Sequence, residues 1–266
     1  MIPRLGDAPG DPFPPVESAL DNPDGLLAWG GDLSPPRLLN AYRHGIFPWF
    51  SGDDPILWWS PARRCVIPTD AVYCSRRLLR VLRQERFTLT ADTAFDAVVQ
   101  ACAHTRGSTW ITEAMARAYG QLHQLGYAHS IEAWEDDRLV GGLYGVALGR
   151  MFFGESMFST ASNASKVILV RLGAVLDHWG YPWLDGQVES GHLRRMGAVL
   201  LDRADFVEGI RDLCARPGVA TPWTRPFRDA CAELDAEMDA EMGAEPETEL
   251  TPGEPGPGSY SPGDAS

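Results

Sequence analysis

The chain is poor in lysine: among 23 basic residues, Lys166 is the single lysine. Genome base composition alone produces such a bias, so it excludes nothing, but it makes the one lysine worth locating. Cysteine is also scarce. The five cysteines (65, 74, 102, 214 and 231) are odd in number and form no C-x-x-C pair, which argues against a disulfide framework or a zinc cluster and fits a reducing compartment. No apolar run approaches the roughly 18 residues that a membrane span needs; the longest candidate, VILVRLGAVL, is interrupted by Arg171. MIPRLGDAPGDPFPP has no apolar core of a secretory signal, so a cytoplasmic location is expected. There is no G-x-S-x-G elbow, no P-loop and no H-E-x-x-H. The six histidines (44, 104, 123, 129, 178 and 192) show no metal spacing, and no metal is expected. His129, among strand residues, reads as structural.

A balance of charge is lacking only at one end. The net charge is −13, but from Asp229 onward there are 11 acidic residues and no basic one. Residues 1–228 therefore hold 25 acids against 23 bases, a net of −2. The acidity belongs to the tail.

A chain of 266 residues builds one large or two small domains, and a hydrophobic fraction of 44% is enough for a real core. The most unusual word is HGIFPWFSGDDPILWWSP, from His44 to Pro61, with Phe47, Trp49, Phe50, Trp58 and Trp59 among three prolines. No helix or strand period fits it, and proline stiffens it. Large flat rings on a rigid, irregular segment suit either a packed junction or a platform for a flat ligand such as a base.

Before it, one short helix is expected after Asp32-Leu-Ser-Pro-Pro, capped by Ser34 or Asp32 and ending near Arg43. The run SRRLLRVLRQERF predicts a helix with Leu78, Leu79 and Leu82 on one face and Arg76, Arg77, Arg80 and Arg83 on the other. That arginine face suits either a phosphate backbone or plain solvent. Further helices are expected at 93–103 and 112–125, the second capped by Thr112. Alternation then predicts antiparallel strands at 129–134, 138–147 and 150–157, with turns at Asp136-Asp137 and Leu148-Gly149. A buried helix follows at 162–178, capped by Ser162 or Asn163 and ended by Gly180 and Pro182. WLDGQV reads as a buried strand, and 192–200 and 204–215 as helices. The tail starts as an Ala/Glu helix and ends in TPGEPGPGSYSPGDAS, expected to be disordered.

Hairpin strands, a buried helix and another strand describe an α+β fold with an acetyltransferase-like core. Three polar residues stand where this pattern predicts burial: Glu155 in FFGESMF, and Asp185 and Gln187 in WLDGQV. The last two are two apart, so a regular strand points them to one side. A buried carboxylate is costly unless paired, so these groups form either a satisfied core network or a catalytic site. A coenzyme A enzyme needs a glycine-rich turn at the start of the buried helix. Here that place reads STASNASK, without the Q/R-x-x-G-x-G/A pattern, so the acyl donor is expected to be something else. Trp110, in GSTWIT, is a second aromatic outside any core stripe.

The words GLLAWGGDLSPPRLLNAYRHGIFPWF, PILWWSPARR, STWIT, LGYAHSIEAW, LVGGLYGVALGRMFFGESMFS, NASK and LDGQV resemble, in order and spacing, the leucyl/phenylalanyl-tRNA–protein transferases, over about residues 13–228. The resemblance implies a small N-terminal domain (1–65), a GNAT-type acetyltransferase-like domain (66–228) and an acidic tail (229–266). It implies transfer of Leu or Phe from charged tRNA to the N-terminal amine of proteins beginning with Arg or Lys, which marks them for N-end-rule degradation. The aminoacyl ester is already activated, so no cofactor is implied, and a monomer is expected. By the same resemblance Gln187, supported by Asp185, orients and relieves the attacking amine, and Glu155 is an active-site carboxylate that attracts the cationic acceptor. Trp49 and Trp110 hold the terminal adenosine. An apolar pocket for the amino-acid side chain falls at Leu143, Phe152, Met157, Leu169 and Leu184, and Arg76, Arg77, Arg80 and Arg83 meet the acceptor stem. Lys166 lies in the NASK word, with either a direct or a structural role.

This chain departs from the family at Leu143, where Met is frequent, and at Ser190, where Asn is common. The tail lies outside the resemblance and is either inert or a competitor for the arginine face. Two alternatives remain at this point: a coenzyme A-dependent N-acetyltransferase, and a non-catalytic RNA-binding module built on the tryptophans and arginines.

Overall fold

The computed structural model describes residues 2–52, 54–104 and 111–243. Trp110 and the tail beyond Gly243 lie outside the described residues.

The N-terminal part holds β1 (Arg4–Leu5), β2 (Leu26–Gly30), α1 (Pro35–Arg43), β3 (Phe47–Pro48) and β4 (Leu57–Trp59). They form a four-stranded sheet in the order β1-β2-β4-β3. The aromatic word is therefore less irregular than its sequence reads. Its ends pair antiparallel, Phe47 with Trp59 and Pro48 with Trp58. Strands of two and three residues are too short to show a period. Trp58 is fully buried, and its indole N–H donates to the Gly30 carbonyl at 2.9 Å. Asp32 accepts the Ser34 N–H at 2.7 Å, while the Ser34 side chain makes no capping bond to α1. The other Asp32 oxygen takes the buried Arg37, which also donates to the carbonyls of Gly6 and Ala8 and so ties the first residues down.

The rest of the chain runs β5 (Arg63–Pro68), α2 (Arg76–Arg83), β6 (Thr88–Ala91), α3 (Phe95–His104), α4 (Glu113–Gln124), β7 (Ala128–Glu135), β8 (Arg138–Leu148), β9 (Met151–Ser159), α5 (Ala164–His178), β10 (Trp183–Gln187), α6 (Gly191–Arg195), β11 (Val199–Asp202), α7 (Arg203–Ala215) and α8 (Thr224–Gly243). Seven strands make a mixed sheet in the order β11-β5-β10-β9-β8-β7-β6. All neighbours are antiparallel except β9 and β10. The expected hairpins are present. Asp136 and Asp137 both take positive φ, 51° and 58°, as a tight two-residue turn with the twist of its strands requires. Ser75 and Thr112 cap α2 and α4 by accepting the N–H of Leu78 and of Met115.

Two expectations need correction. The stretch 192–200 is not one helix: Gly197, at φ 98°, ends the turn after α6, and Val199–Asp202 then pairs with β5. Asn163 precedes α5 in a left-handed conformation, not the extended one usual for a capping residue, and makes no side-chain cap. The expected Ala/Glu helix at the start of the tail is present: residues 229–243 continue α8, which docks on α5 through Arg171–Asp235 at 2.7 Å and His178–Glu233 at 3.2 Å. Short β5 and β6 escape a reading by periodicity.

The large sheet separates two cores. On one side Ile131, Leu143, Phe152, Ile168 and Leu172 pack with Trp223 and Phe227 of the C-terminal region. On the other, Val98, Tyr144, Phe153 and Phe206 share a core with Leu27, Leu38, Phe47 and Trp58, so the small sheet is packed onto the large one. No helix of the described residues is long and apolar enough to cross a membrane.

His129 has a structural role. Its ring stacks on Trp223 at 4.0 Å, and its Nδ1 meets the Asp92 carboxylate at 2.8 Å. Asp92 also accepts the N–H groups of Ser130 (3.1 Å) and Trp223 (2.7 Å), which fastens the approach to α8 to the sheet. Those bonds hold its carboxyl below the usual carboxylate range despite burial, which opposes them. Asp92→Ala should therefore destabilise the protein by about 3 kcal/mol, through the loss of one partner of a buried network. A urea midpoint unchanged from the parent would show that this fastening contributes little.

Candidate active site

Beside each other, β9 and β10 each lose their regular register. On β10 the pairing with β5 slips between Asp185 and Gln187; on β9 the pairing with β8 slips around Glu155, between Gly154 and Ser156. Such bulges re-aim side chains at strand ends. The expectation that Asp185 and Gln187 share a side by simple alternation therefore does not hold. Gln187 stands at φ 59°, left-handed and unusual for a residue with a side chain, and the carboxylate of Asp185 folds under it to accept its N–H at 2.8 Å. Both residues nonetheless line the same cavity.

Asp185 is wholly buried and held by a residue that sequence reasoning missed. Arg64 of β5 donates Nε to Oδ1 at 2.8 Å and Nη2 to Oδ2 at 2.6 Å, a two-pronged pair. Its Nη1 donates to the Gly45 carbonyl at 3.0 Å, and its guanidinium lies 4.7 Å from the ring centres of both Phe47 and Phe206. With both oxygens so occupied, Asp185 is placed to fix the bulge rather than to meet a reactant.

Glu155 sits at the adjoining bulge. Its Oε1 accepts Tyr42 Oη–H at 2.7 Å and Gln187 Nε2–H at 2.9 Å, and its Oε2 accepts Tyr119 Oη–H at 2.7 Å. Burial pushes this carboxyl up to about 7; the bonds from Tyr119, Tyr42 and Gln187 pull against that, while the charge of Asp185 adds to it. Gln187 spends an amide N–H on Glu155, and its amide oxygen accepts no bond from the described residues.

These groups form the polar wall of a cavity of about 620 Å³. Leu143, Met157, Leu169 and Leu184 supply its apolar wall, and Phe47, Trp49, Ser190 and His192 also line it. Trp49 is 44% exposed, the most open of the tryptophans around the aromatic word. Its place is set by the Trp59 indole, which donates to the Trp49 carbonyl at 2.6 Å and lies 5.6 Å from its ring. Ser190 caps α6, accepting the Leu193 N–H at 3.2 Å.

Other expected residues lie elsewhere. Phe152 does not line the cavity: its ring covers Gly145, where an added Cβ would meet it at 2.6 Å, and packs toward Trp223 in the core. Arg76, Arg77, Arg80 and Arg83 are all exposed on α2, away from the cavity, and enter no ion pair among the described residues. Lys166 stands in the first turn of α5 and is not part of the cavity wall. Tyr42, Tyr119 and His192 were not anticipated. The available signal was Arg64, a charge inside the apolar strand RCVIP that requires a buried acid.

Glu155 makes stability depend on pH. Its folded pKa, about 7, lies above the ordinary carboxyl value of 4.5, so between these values the native state binds more protons than the unfolded chain. The stabilisation is complete below pH 4.5 and is lost as pH rises through about 7. Its size is about 3 kcal/mol, from 1.36 kcal/mol per pKa unit. Glu155→Gln should flatten this part of the stability–pH curve in urea unfolding; an unaltered slope would show that another group causes it.

The family model described as "Leucyl/phenylalanyl-tRNA protein transferase" matches residues 66–211, and its N-terminal domain model matches 31–62. The chain is 53% identical over 227 residues to the leucyl/phenylalanyl-tRNA–protein transferase of Xanthomonas campestris pv. campestris strain B100, covering 84% of this chain and 91% of that one. It is 54% identical over 215 residues to that of Thiobacillus denitrificans, covering 80% and 94%. Among solved structures, FemX aligns with a TM-score of 0.42 at 9% identity, over 63% of this chain and 66% of its own, too distant to argue from. A family model over more than half of the chain, which takes in Glu155, Asp185 and Gln187, together with relatives 53% identical over 84% of it, places the chain in the leucyl/phenylalanyl-tRNA–protein transferase family.

Proposed function

We propose that the cavity between the β9 and β10 bulges joins leucine or phenylalanine, delivered as its tRNA ester, to the N-terminal amine of proteins that begin with Arg or Lys, and so marks them for degradation. The observation that carries this reading is one cavity with two unlike walls. Leu143, Met157, Leu169 and Leu184 offer a leucyl or phenylalanyl side chain an apolar lodging, and Gln187 and Glu155 face it from the polar side. Apolar contacts distinguish side chains by only about 1–3 kcal/mol per methylene, which suits acceptance of two related residues.

The reaction forms a C–N bond at the ester carbonyl and breaks the bond to the 3′-oxygen of the tRNA, which leaves with a proton. The amine must be neutral when it attacks. Gln187, its amide oxygen free of partners among the described residues, accepts an N–H of that amine and aligns its lone pair with the carbonyl. Glutamine is a poor base, so positioning and electrostatics supply most of the effect, and the activated ester needs little more. Asp185 and Arg64 hold Gln187 in its left-handed conformation. The ionised form of Glu155 attracts the acceptor's cationic residue. The open face of Trp49 takes the terminal adenine, and the exposed arginines of α2 follow phosphates, contacts that do not depend on sequence and so admit different tRNAs.

The same reading takes the large sheet as GNAT-type, with domains at 1–65 and 66–228, acting in the cytoplasm as a monomer. The parallel β9–β10 pair, with the site at its end, supports that fold.

Labelled leucyl-tRNA incubated with a peptide beginning with Arg should transfer its label to the peptide, and label that stays on the tRNA would refute the reading. Asp185→Ala should lower kcat about a hundredfold, the usual consequence of misplacing a reacting group by an ångström, with little change in KM for charged tRNA. Trp49→Ala should raise that KM about tenfold, within the worth of one base–aromatic stack. An unchanged KM would remove Trp49 from the adenine site.

A further inference from the structure

Tyr42, Tyr119 and Glu155 make a closed triangle of contacts: Tyr42 to Oε1 at 2.7 Å, Tyr119 to Oε2 at 2.7 Å, and phenol to phenol at 2.6 Å. Each of the three contacts needs a hydrogen, and two phenols carry only two. With Glu155 ionised, both phenolic hydrogens point at its oxygens. The phenol oxygens then face each other with nothing between them. With Glu155 as a carboxylic acid the ring closes: the acid donates to Tyr119, Tyr119 to Tyr42, and Tyr42 back to Oε1. Gln187 donates to Oε1 in either state. Both tyrosines are fully buried and Glu155 is 8% exposed, so solvent has little room to supply the missing hydrogen.

We infer that the Tyr42–Tyr119–Glu155 cluster closes around a third proton in the empty site, and that entry of the acceptor's cationic N-terminal residue expels that proton to solvent. The inference rests on the acceptor reading given above. The step balances simply: the O–H bond of Glu155 breaks, buffer takes the proton, and the carboxylate pairs with the incoming cation.

The surroundings agree. Facing Glu155 are Tyr42 from α1, Tyr119 from α4, Tyr144 from β8 and Asp185 from β10, with Cys102 of α3 behind Tyr144 and Arg64 of β5 behind Asp185. Burial holds all three phenols well above their ordinary range, so none competes to ionise. The Tyr144 hydroxyl, buried and without a hydrogen-bond partner in the described residues, adds no cation. Burial pushes Glu155 up to about 7, so the proton is held firmly on the acid side of neutrality and only loosely above it.

Acceptor affinity should therefore follow pH. With leucyl-tRNA saturating, the ratio of the wild-type KM for an Arg-initiated peptide to that of Glu155→Gln should fall about tenfold between pH 6 and pH 8, as one group titrating near 7 requires. Glu155→Gln supplies an amide that donates and accepts as the acid does, so it keeps the acid-side binding mode at every pH, and ionisation of the peptide's own amine, which affects both enzymes alike, cancels from the ratio of their KM values. Difference infrared spectroscopy of the substrate-free protein should show the carbonyl band of a protonated carboxylic acid at pH 6, shifted by ¹³C-glutamate labelling and bleached on adding the peptide. A wild-type KM that runs parallel to that of Glu155→Gln, or the absence of that band, would overturn the inference. Should no leucine reach the peptide at any pH, the acceptor reading fails instead. The infrared band of the wild-type protein then decides the proton's place alone, and needs no variant to fold.

Discussion

The site depends on one ion pair, Arg64 with Asp185, both out of contact with water. Removing two charges from water costs several kcal/mol each, and the cost is recovered only where geometry is good and the remaining polar atoms are bonded. Here both conditions are met. The guanidinium meets both carboxylate oxygens, its third nitrogen finds the Gly45 carbonyl, and its faces lie against Phe47 and Phe206. One side chain thus joins β5 to β10, and both to the turn after α1 and to α7. The aromatic word is drawn into the same arrangement: Phe47 covers Arg64, and two residues on Trp49 opens to the cavity.

From this pair the roles of the three polar residues separate. Asp185 has its oxygens filled and gives Gln187 an anchor for a backbone conformation that few residues adopt unaided. Gln187 keeps an amide oxygen without a partner among the described residues. Glu155, cradled by two phenols in a neighbouring bulge, is the group whose charge changes near neutrality. A rigid pair, an oriented amide and an adjustable carboxyl are stacked within two adjacent strand ends because both strands break register at the same level.

Much of this is legible in the sequence for definite reasons. The hairpins β7–β8–β9 show because long strands alternate and aspartates mark their turn. The apolar helix α5 shows because nothing polar interrupts its buried faces. Glu155, Asp185 and Gln187 stand out because each is polar within an apolar word. What stays hidden depends on bulges and on distant partners. A bulge shifts register by a residue without changing composition, so simple alternation misdescribes Gln187. It likewise gives no sign that Phe152 swings over Gly145 and out of the cavity. Arg64 and Tyr42 lie more than a hundred residues from the carboxylates they serve, and no local pattern links them. The strand β11 is hidden by helix-forming residues on either side of Gly197, where tertiary pairing with β5 overrides propensity.

If Arg64 and Asp185 act as a unit that positions Gln187, changing either should do the damage of changing both. The direct measurement is a double-mutant cycle on the single-turnover rate of leucyl transfer to an Arg-initiated peptide, with Arg64→Met, Asp185→Leu and the double variant. The account expects the double variant to be no slower than the slower single one, the non-additivity of residues that serve one function. Rate losses that multiply, as those of independent residues do, would contradict it.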